Sequence, residues 1–289
     1  MNIKSLLLLG LAVSLCLFAV PVSHGAEPVT AKVEPVIPTE VIPLLNGRDL
    51  SCFYTWLMDA GYEDPRRIFV VQPDGILRIS GDGFGGLITH HEYANYHLVM
   101  EYRWGTATWL TRKDRARDGG LLLHCQGVDG GFGGKDGQPG PWMTSIECQI
   151  IEGGVGDILV LSGKNAKGEL IPASATCCIT RDRDGEAVWT PGAPPQVFPR
   201  GRINWSGRDP DWKDVVGIRG KNDVETPGEG WTTLECFCFG GEIAYKVNGV
   251  IVNRASDVQP NHGKILLQTE AAEMYVRRLE LRPLKEMIP

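Results

Sequence analysis

Alternating polar and apolar side chains mark the run Ser145-Ile146-Glu147-Cys148-Gln149-Ile150-Ile151-Glu152. A β-strand points successive side chains to opposite faces, so Glu147 and Gln149 share one face while Cys148 and Ile150 share the other. The run therefore predicts a strand with one apolar face for a core and one polar face that carries a carboxylate and an amide.

Three other strand-like segments place polar side chains among apolar ones. Residues 97–104 put Glu101 and Arg103 on one face, residues 120–124 carry His124 after three leucines, and residues 265–268 end in Gln268. If these strands are neighbours in one sheet, Glu, Arg, His and Gln lie side by side. A face that only had to be solvated would carry mostly Lys, Thr and Ser. The mixture indicates a site for a polar ligand, and a sugar fits it best.

The pattern of the whole chain predicts an all-β fold. Short β-rich runs alternate with turn signals such as Pro73-Asp74-Gly75, Gly240-Gly241 and Asn248-Gly249, and helical periodicity is absent. This pattern is typical of an antiparallel sandwich or barrel. We expect an antiparallel β-sandwich of jelly-roll type, with a barrel as the alternative.

The N-terminal region has the features of an export signal. Lys4 precedes an apolar run from Leu6 to Val20, and small residues follow near residue 25. We expect a signal peptide over residues 1–25, with an uncleaved anchor as the alternative, then a Pro-rich tether over 26–43 and a single domain over 44–285. The expected location is secreted or periplasmic, without membrane insertion of the mature chain.

Two segments differ in composition from the strands. Residues 163–230 are rich in Pro, Gly, Asp and Arg with isolated tryptophans, and residues 127–141 are rich in Gly. Loops of such length are usually functional or disordered. We expect residues 163–230 to form a long surface excursion that borders the ligand pocket.

The net charge and the cysteines argue against several classes of partner and site. Cleavage after residue 25 removes Lys4 and changes the formal net charge from −6 to −7, which argues against nucleic acid and anionic membranes as partners. The eight cysteines become seven without Cys16, so at least one thiol is unpaired within the chain, and none has metal-ligand spacing. We expect neither a cofactor nor a metal. The oligomeric state stays open.

A series of short motifs resembles the 3-keto-disaccharide hydrolase family. The motifs follow the family's order from Leu44 to Leu281: Leu45-Asn46-Gly47-Arg48-Asp49-Leu50, Asp74-Gly75-Ile76-Leu77, Gly86-Leu87-Ile88-Thr89, Glu101-Tyr102-Arg103, Gly119-Gly120-Leu121, Glu147-Cys148-Gln149-Ile150, Val247-Asn248-Gly249, Gly263-Lys264-Ile265-Leu266-Leu267-Gln268 and Val276-Arg277-Arg278-Leu279. The resemblance implies a concanavalin-like (lectin/glucanase) sandwich, export and action on oxidised sugars. The chain departs from the family where Asp118 replaces an Asn and where Glu270 replaces a frequent His.

The candidate site residues follow from this polar face. Glu147 is the candidate base, because a carboxylate among polar neighbours can exchange protons, and His124 is the candidate acid. Arg103, Gln149 and Gln268 would orient the sugar. The alternatives are a structural ion pair for Glu147, exposed amides for the glutamines, and a buried core position for His124.

Three further residues complete the predicted site. Glu101 would pair with Arg103, and Arg277 would bridge to Glu147. Trp142 lies in a Gly-Pro loop just before the Glu147 strand, where its ring could stack on a sugar. Core packing is the alternative for this ring.

The resemblance implies hydrolysis of a 3-keto-glycoside by C2 proton abstraction, elimination and hydration. Ordinary two-carboxylate hydrolysis, with Glu101 or Glu152 as the second carboxylate, is an alternative reaction. A non-catalytic carbohydrate-binding module and a cell-surface interaction domain are alternatives from other classes, because fold does not determine function.

Overall fold

The computed structural model describes residues 34–288, which form twenty β-strands and one 3₁₀ turn, Leu110–Arg112. The strands are β1 (Ile42–Pro43), β2 (Phe53–Leu57), β3 (Phe69–Val71), β4 (Leu77–Ile79), β5 (Phe84–Thr89), β6 (Tyr96–Thr108), β7 (Asp118–Gln126), β8 (Thr144–Ile151), β9 (Ile158–Leu161), β10 (Gly163–Lys164), β11 (Leu170–Ile171), β12 (Ser174–Arg181), β13 (Ala187–Trp189), β14 (Pro195–Phe198), β15 (Gly201–Ile203), β16 (Thr232–Phe239), β17 (Glu242–Val247), β18 (Val250–Gln259), β19 (Lys264–Glu270) and β20 (Ala272–Pro283).

Two antiparallel sheets contain nearly all of these strands. The larger sheet has the order β13-β12-β18-β17-β16-β6-β20-β4-β3, with β1 on β20 and β14 on β12. The smaller sheet has the order β15-β9-β8-β7-β19-β5-β2, and β10 and β11 pair as a separate hairpin. The chain passes repeatedly from one sheet to the other, which confirms the antiparallel sandwich of jelly-roll type expected from the sequence.

The core lies between the two sheets and follows the alternation of each strand. Ile146, Cys148 and Ile150 of β8 enter the main apolar cluster, together with Leu98 and Leu234 of the larger sheet. A second apolar cluster covers the opposite, outer face of the smaller sheet. Its buried members are Ile88, Leu122, Cys125, Trp142, Met143, Leu161 and Leu266. This outer face is therefore also shielded from water, and it is the face of Glu147.

The segment 163–230 differs from the expected surface excursion. Its first part forms the strands β10 to β15, of which β12, β13 and β14 join the larger sheet and β15 joins the smaller one. Trp189 and Trp205 lie in the main core cluster. Strand alternation is hidden here because Pro and Gly interrupt strands that are short. Within this segment, the long stretch without strands is confined to residues 204–230.

The expected tether also needs correction at its C-terminal end. Val36 donates its N–H to the Glu92 carbonyl at 2.8 Å, and Ile42–Pro43 pairs with β20. Residues 36–43 thus belong to the folded domain. The predicted signal peptide, and the tether as far as residue 33, lie outside the described residues.

The seven cysteines of the described range are all thiols, and Cys125, Cys148, Cys236 and Cys238 are buried as small apolar side chains. No helix within residues 34–288 has the length and apolarity needed to cross a membrane.

Candidate active site

Glu147 lies in a row of side chains that crosses the whole outer face of the smaller sheet. Cα partners in the register between neighbouring strands define the row. From one sheet edge to the other it reads Arg202, Leu159, Glu147, Leu122, Leu266, Ile88 and Tyr54. Glu147 is thus a single carboxyl group between apolar neighbours, with a guanidinium two strands away.

The next row along the strands is polar and contains two glycines. Gln149 is opposite Gly120, Gln268 is opposite Gly86, and Gly86 is opposite Trp56. A Cβ atom at Gly120 would lie 2.5 Å from Glu147 Oε1 and 2.6 Å from Gln268 Oε1. The missing side chain at Gly120 therefore lets Glu147 and Gln268 approach each other across β7.

The environment of Glu147 favours its protonated form. The residue is only 3% exposed. Burial raises the pKa of its carboxyl to about 8, and the charge of Asp118 adds to the rise, while Arg202 and Gln268 act in the opposite direction. Desolvation penalises the ionised form of a carboxyl group. At neutral pH Glu147 therefore carries its proton most of the time and titrates close to the working range.

Gln268 has an acceptor atom without a partner beside Glu147. The side chain is 2% exposed, and its Oε1 has no hydrogen-bond donor among the described residues. A buried polar atom without a partner costs about 1–3 kcal/mol, so such atoms often mark ligand positions. A protonated Glu147 or a sugar hydroxyl can supply the missing donor.

Asp118 lies at the start of β7, at one end of this polar face. It lies 3.2 Å from Arg112 Nη2 and accepts hydrogen bonds from the Gln149 amide and, at 3.0 Å, from the Gly119 N–H. Burial raises the pKa of Asp118 to about 6, although Arg112 and Arg202 oppose the rise. Asp118 is consequently ionised at neutral pH when Glu147 is not.

Glu270 is a third carboxyl group on the same face, two residues after Gln268 on β19 and half-buried. Burial, followed by the charges of Asp118 and Glu147, raises its pKa well above the ordinary value. In the sequence, Glu270 and Asp118 are recognisable only as departures from the family pattern. The alternation Leu266, Gln268, Glu270 was the signal that could have assigned Glu270 to this face.

Arg202 of β15 supplies positive charge to the site. Its guanidinium donates to Gln149 Oε1 at 3.3 Å and lies 3.7 Å from the buried carboxylate of Asp157. Arg202 was not among the predicted site residues, because it lies in the segment that was expected to be a surface excursion.

The structure separates Arg103, Glu101 and Arg277 from Glu147. These residues lie on β6 and β20 of the larger sheet, so the expected neighbourhood of β6 with β8 is wrong. Arg277 Nε donates to Glu101 Oε2 at 2.5 Å. Arg103 lies between the rings of Trp231 and Tyr275, at 5.2 and 5.0 Å from their centroids. The three residues form their own ion-pair and stacking cluster on the larger sheet.

His124 faces the interior between the sheets and not the row of Glu147. A bulge changes the register after Leu123, and His124 has a φ of 58°. Its ring packs edge-on against Tyr96, with centroids 5.8 Å apart, and Nδ1 lies 3.0 Å from the Pro260 carbonyl oxygen. Burial lowers the pKa of His124 to about 4, so the ring is neutral at physiological pH. The pairing of His124 with Glu147 that the alternation predicted is not formed.

Trp142 lies on the same face as Glu147. It belongs to the outer apolar cluster, is 9% exposed and pairs through its backbone with Phe132. Trp142 therefore contributes mainly to the cover of this face.

An open groove of about 1010 Å³ adjoins the row of Glu147 at the β9–β15 edge. Leu159 and Arg202, which continue that row, are among its walls. No group of three or more His, Cys, Asp or Glu side chains within residues 34–288 has the arrangement of a metal site.

The match to the 3-keto-alpha-glucoside-1,2-lyase-like domain spans residues 40–282. The chain belongs to this family. The lyase-like domain thus includes both sheets and all residues of the polar face, and membership supports a carbohydrate-active role. No curated protein sequence matches the chain.

Several solved structures are similar to this lyase-like domain. Two are proteins from Parabacteroides distasonis named as glycosyl hydrolases, at 15% and 16% identity. Their alignments cover 85% of this chain and 94% and 100% of those chains, with TM-scores of 0.45 and 0.44. A carbohydrate-binding module from Bacillus subtilis is similar at 10% identity, over 74% of this chain and 90% of its own, with a TM-score of 0.39.

Proposed function

We propose that this protein cleaves 3-keto-glycosides and that Glu147 transfers the key proton. The observation that carries the proposal is the position of Glu147, a buried carboxyl group with a pKa of about 8, beside an unpartnered Gln268 oxygen. Its place in a family domain that is named for 3-keto-glucosides supports this choice. A proton-transfer group works best when its pKa is near the operating pH.

The proposed reaction begins with removal of the proton at C2. The ketone at C3 makes this proton acidic, because the resulting carbanion is an enolate. The electron pair then forms a C1–C2 double bond, the C1–O bond breaks, and the leaving oxygen takes up a proton. Addition of water to the enone at C1 and C2 gives the free 3-keto sugar. Such a reaction needs one base, one acid and donors for the enolate oxygen.

Each of these roles has a candidate on the outer face of the smaller sheet. Glu147 acts as the base in its ionised form. Glu270 acts as the acid, since burial and the charges of Asp118 and Glu147 raise its pKa well above the ordinary value and favour its protonated form. Gln268 and Gln149 bind sugar hydroxyls and the enolate oxygen. Glu270 replaces His124 in the acid role, because the His124 ring lies against Tyr96 in the interior.

Export belongs to the same proposal. Residues 1–25 have the sequence pattern of a signal peptide, and a secreted or periplasmic enzyme would meet oxidised glycosides outside the cytoplasm. Edman sequencing or mass spectrometry of the protein from the native host checks the cleavage. A mature chain that retains residues 1–25 would contradict export by cleavage.

The test compares Glu147→Gln with wild type on a 3-keto-disaccharide. General acid–base catalysis contributes about 10²–10⁴-fold, so we expect a loss of that order in kcat. The wild-type kcat/KM should rise with pH until about pH 8, as Glu147 ionises. The kcat/KM of the variant should not show this rise with pH.

Glu225→Gln is the matched control. Glu225 is also buried, burial also raises its pKa to about 8, and it accepts hydrogen bonds from Tyr102 and Trp104, which belong to the core between the sheets. We expect its variant to keep wild-type kcat. Near wild-type turnover by Glu147→Gln would show that Glu147 has no proton-transfer role. Glycan binding by a wild type that cleaves no 3-keto-glycoside would favour the non-catalytic alternative.

A further inference from the structure

The groove beside Glu147 is lined mainly by apolar side chains. Side chains from three parts of the chain meet there: Phe132 from the loop before β8, Leu159 and Leu161 from β9, and Leu170 from β11. Pro199 closes the far side. All of these side chains are apolar.

Two of the three polar side chains that line the groove, Ser162 and Arg202, are already engaged within the protein, and the third, Arg200, is exposed. Ser162 accepts the Ala173 N–H at 2.8 Å and donates to the Pro199 carbonyl at 3.4 Å. Arg202 donates to Gln149 and lies near Asp157. A second sugar ring would bring several hydroxyl groups to walls that offer few partners, and polar groups without partners lose binding energy.

Continuity with the polar face decides what the groove can hold. Leu159 is the direct cross-strand neighbour of Glu147, and Arg202 is the next neighbour of Leu159. A glycoside whose C1 and C2 lie at Glu147 must place its leaving group within a few ångströms. The groove is a large open volume at that edge, and its apolar walls suit an apolar group.

We propose that the groove is the leaving-group subsite and that it accepts aromatic or other apolar aglycones in preference to a second sugar. This inference rests on the proposed function and names the substrate class of the same site. Burial of an aromatic ring against aliphatic walls is favourable, because it removes apolar surface from water. Leu170 and Pro199, which form part of these walls, come from the segment 163–230.

Two 3-keto-glucosides that differ only in the leaving group test the inference, one with a phenyl aglycone and one with a second glucose. Leu170→Asp puts a charge at the rim, and Leu170 is 67% exposed, so the fold should be retained. We expect kcat/KM for the phenyl substrate to fall about tenfold and that for the disaccharide to change less than about twofold. Intrinsic leaving-group reactivity cancels, because each substrate is compared between wild type and variant.

Val250→Asp is the matched control, since Val250 is a 47% exposed apolar strand residue outside the groove. Val250→Asp should leave kcat/KM for both substrates unchanged. Phe132→Ala, with thermal unfolding measured alongside, should also reduce turnover of the phenyl substrate selectively. Equal effects of Leu170→Asp and Phe132→Ala on both substrates, or no effect, would overturn the subsite while the proposed function stands. Failure of wild type to cleave either substrate would overturn the proposed function and the subsite with it.

Discussion

At the scale of single residues, Glu147 and Gly120 form one unit. Glu147 needs a neighbour without a side chain, because its Oε1 occupies the space above Gly120 together with Gln268 Oε1. Glycine is thus required here for close approach and not for a special backbone angle. The adjacent Gly119 faces the core, where a Cβ would meet only Met274 Cε at 3.3 Å and Trp104 at 3.9 Å.

Gly120→Ala should therefore displace Glu147 or Gln268 while the fold persists. A displacement of about 1 Å in a catalytic group can cost on the order of 10²-fold in rate, so we expect kcat/KM on a 3-keto-glycoside to fall by about 10–100-fold. Gly119→Ala is the control and should stay within about threefold of wild type, because the flexible end of Met274 can move. Equal activity of the two variants would contradict the assigned geometry.

At the scale of elements, Asp157 connects the loop 204–231 to the smaller sheet. Its carboxylate is fully buried, accepts the Trp205 N–H at 2.7 Å and lies 3.2 Å from Arg208 Nη1. Arg202 approaches the same carboxylate at 3.7 Å. One acidic side chain, in the connection between β8 and β9, thus holds β15 and the start of the loop against the smaller sheet.

Asp157→Ala should destabilise the protein strongly. Removal of one partner from a buried ion pair typically costs about 3–5 kcal/mol, because a buried charge remains without compensation. Urea unfolding measures the change in the free energy of unfolding. Asp211→Ala is the control, since Asp211 pairs with Arg183 at the surface with 75% of its side chain exposed. Exposed pairs contribute about 0–1 kcal/mol, so comparable losses in the two variants would refute the structural role of Asp157.

At the scale of the whole molecule, buried acids couple stability to pH. Burial raises the pKa of Glu147 and of Glu225 to about 8, against an ordinary value of 4.5. Between these values the unfolded chain releases protons that the folded chain retains. The contribution of these two groups to the free energy of unfolding therefore falls as pH rises. It is fully present at pH 4.5 or below.

Glu147→Gln should remove the part of this pH-dependent stability loss that Glu147 causes. Each pKa unit corresponds to about 1.4 kcal/mol, so the free energy of unfolding of the variant should exceed that of wild type by on the order of 4 kcal/mol at pH 8 and match it near pH 4.5. Thermal or urea unfolding across pH 4.5–8.5 measures the difference. Glu229→Gln, at a side chain that is 91% exposed, should show the same dependence of stability on pH as wild type. A variant without a stability gain at pH 8 would show that Glu147 is not held protonated.

Local pattern alone was sufficient for much of the fold and for part of the site. Alternation within residues 145–152 correctly placed Glu147 and Gln149 on one face and Cys148 and Ile150 on the other. Gln268 reaches the same face by the same alternation in β19. Side-chain direction in a regular strand depends only on neighbouring residues, and for that reason it could be predicted.

Strand neighbourhood and strand irregularity required the tertiary structure. β6 pairs with β16 and β20 in the larger sheet, and this pairing removed Arg103, Glu101 and Arg277 from the predicted site. The bulge at His124 turned its ring inward. Pairing is decided by contacts between residues far apart in the chain, and the alternation within a single strand contains no information about it.

The sequence by itself determined the all-β class, the polar side chains of the Glu147 strand and the family motifs, because these depend on local periodicity and on short runs of residues. Only the tertiary structure decided that Asp118, Glu270 and Arg202 join Glu147, and that an apolar groove begins at Leu159. The raised pKa of Glu147 belongs to the second group. Its cause is burial by residues from β7, β9 and β19, and burial is a property of the assembled sheets.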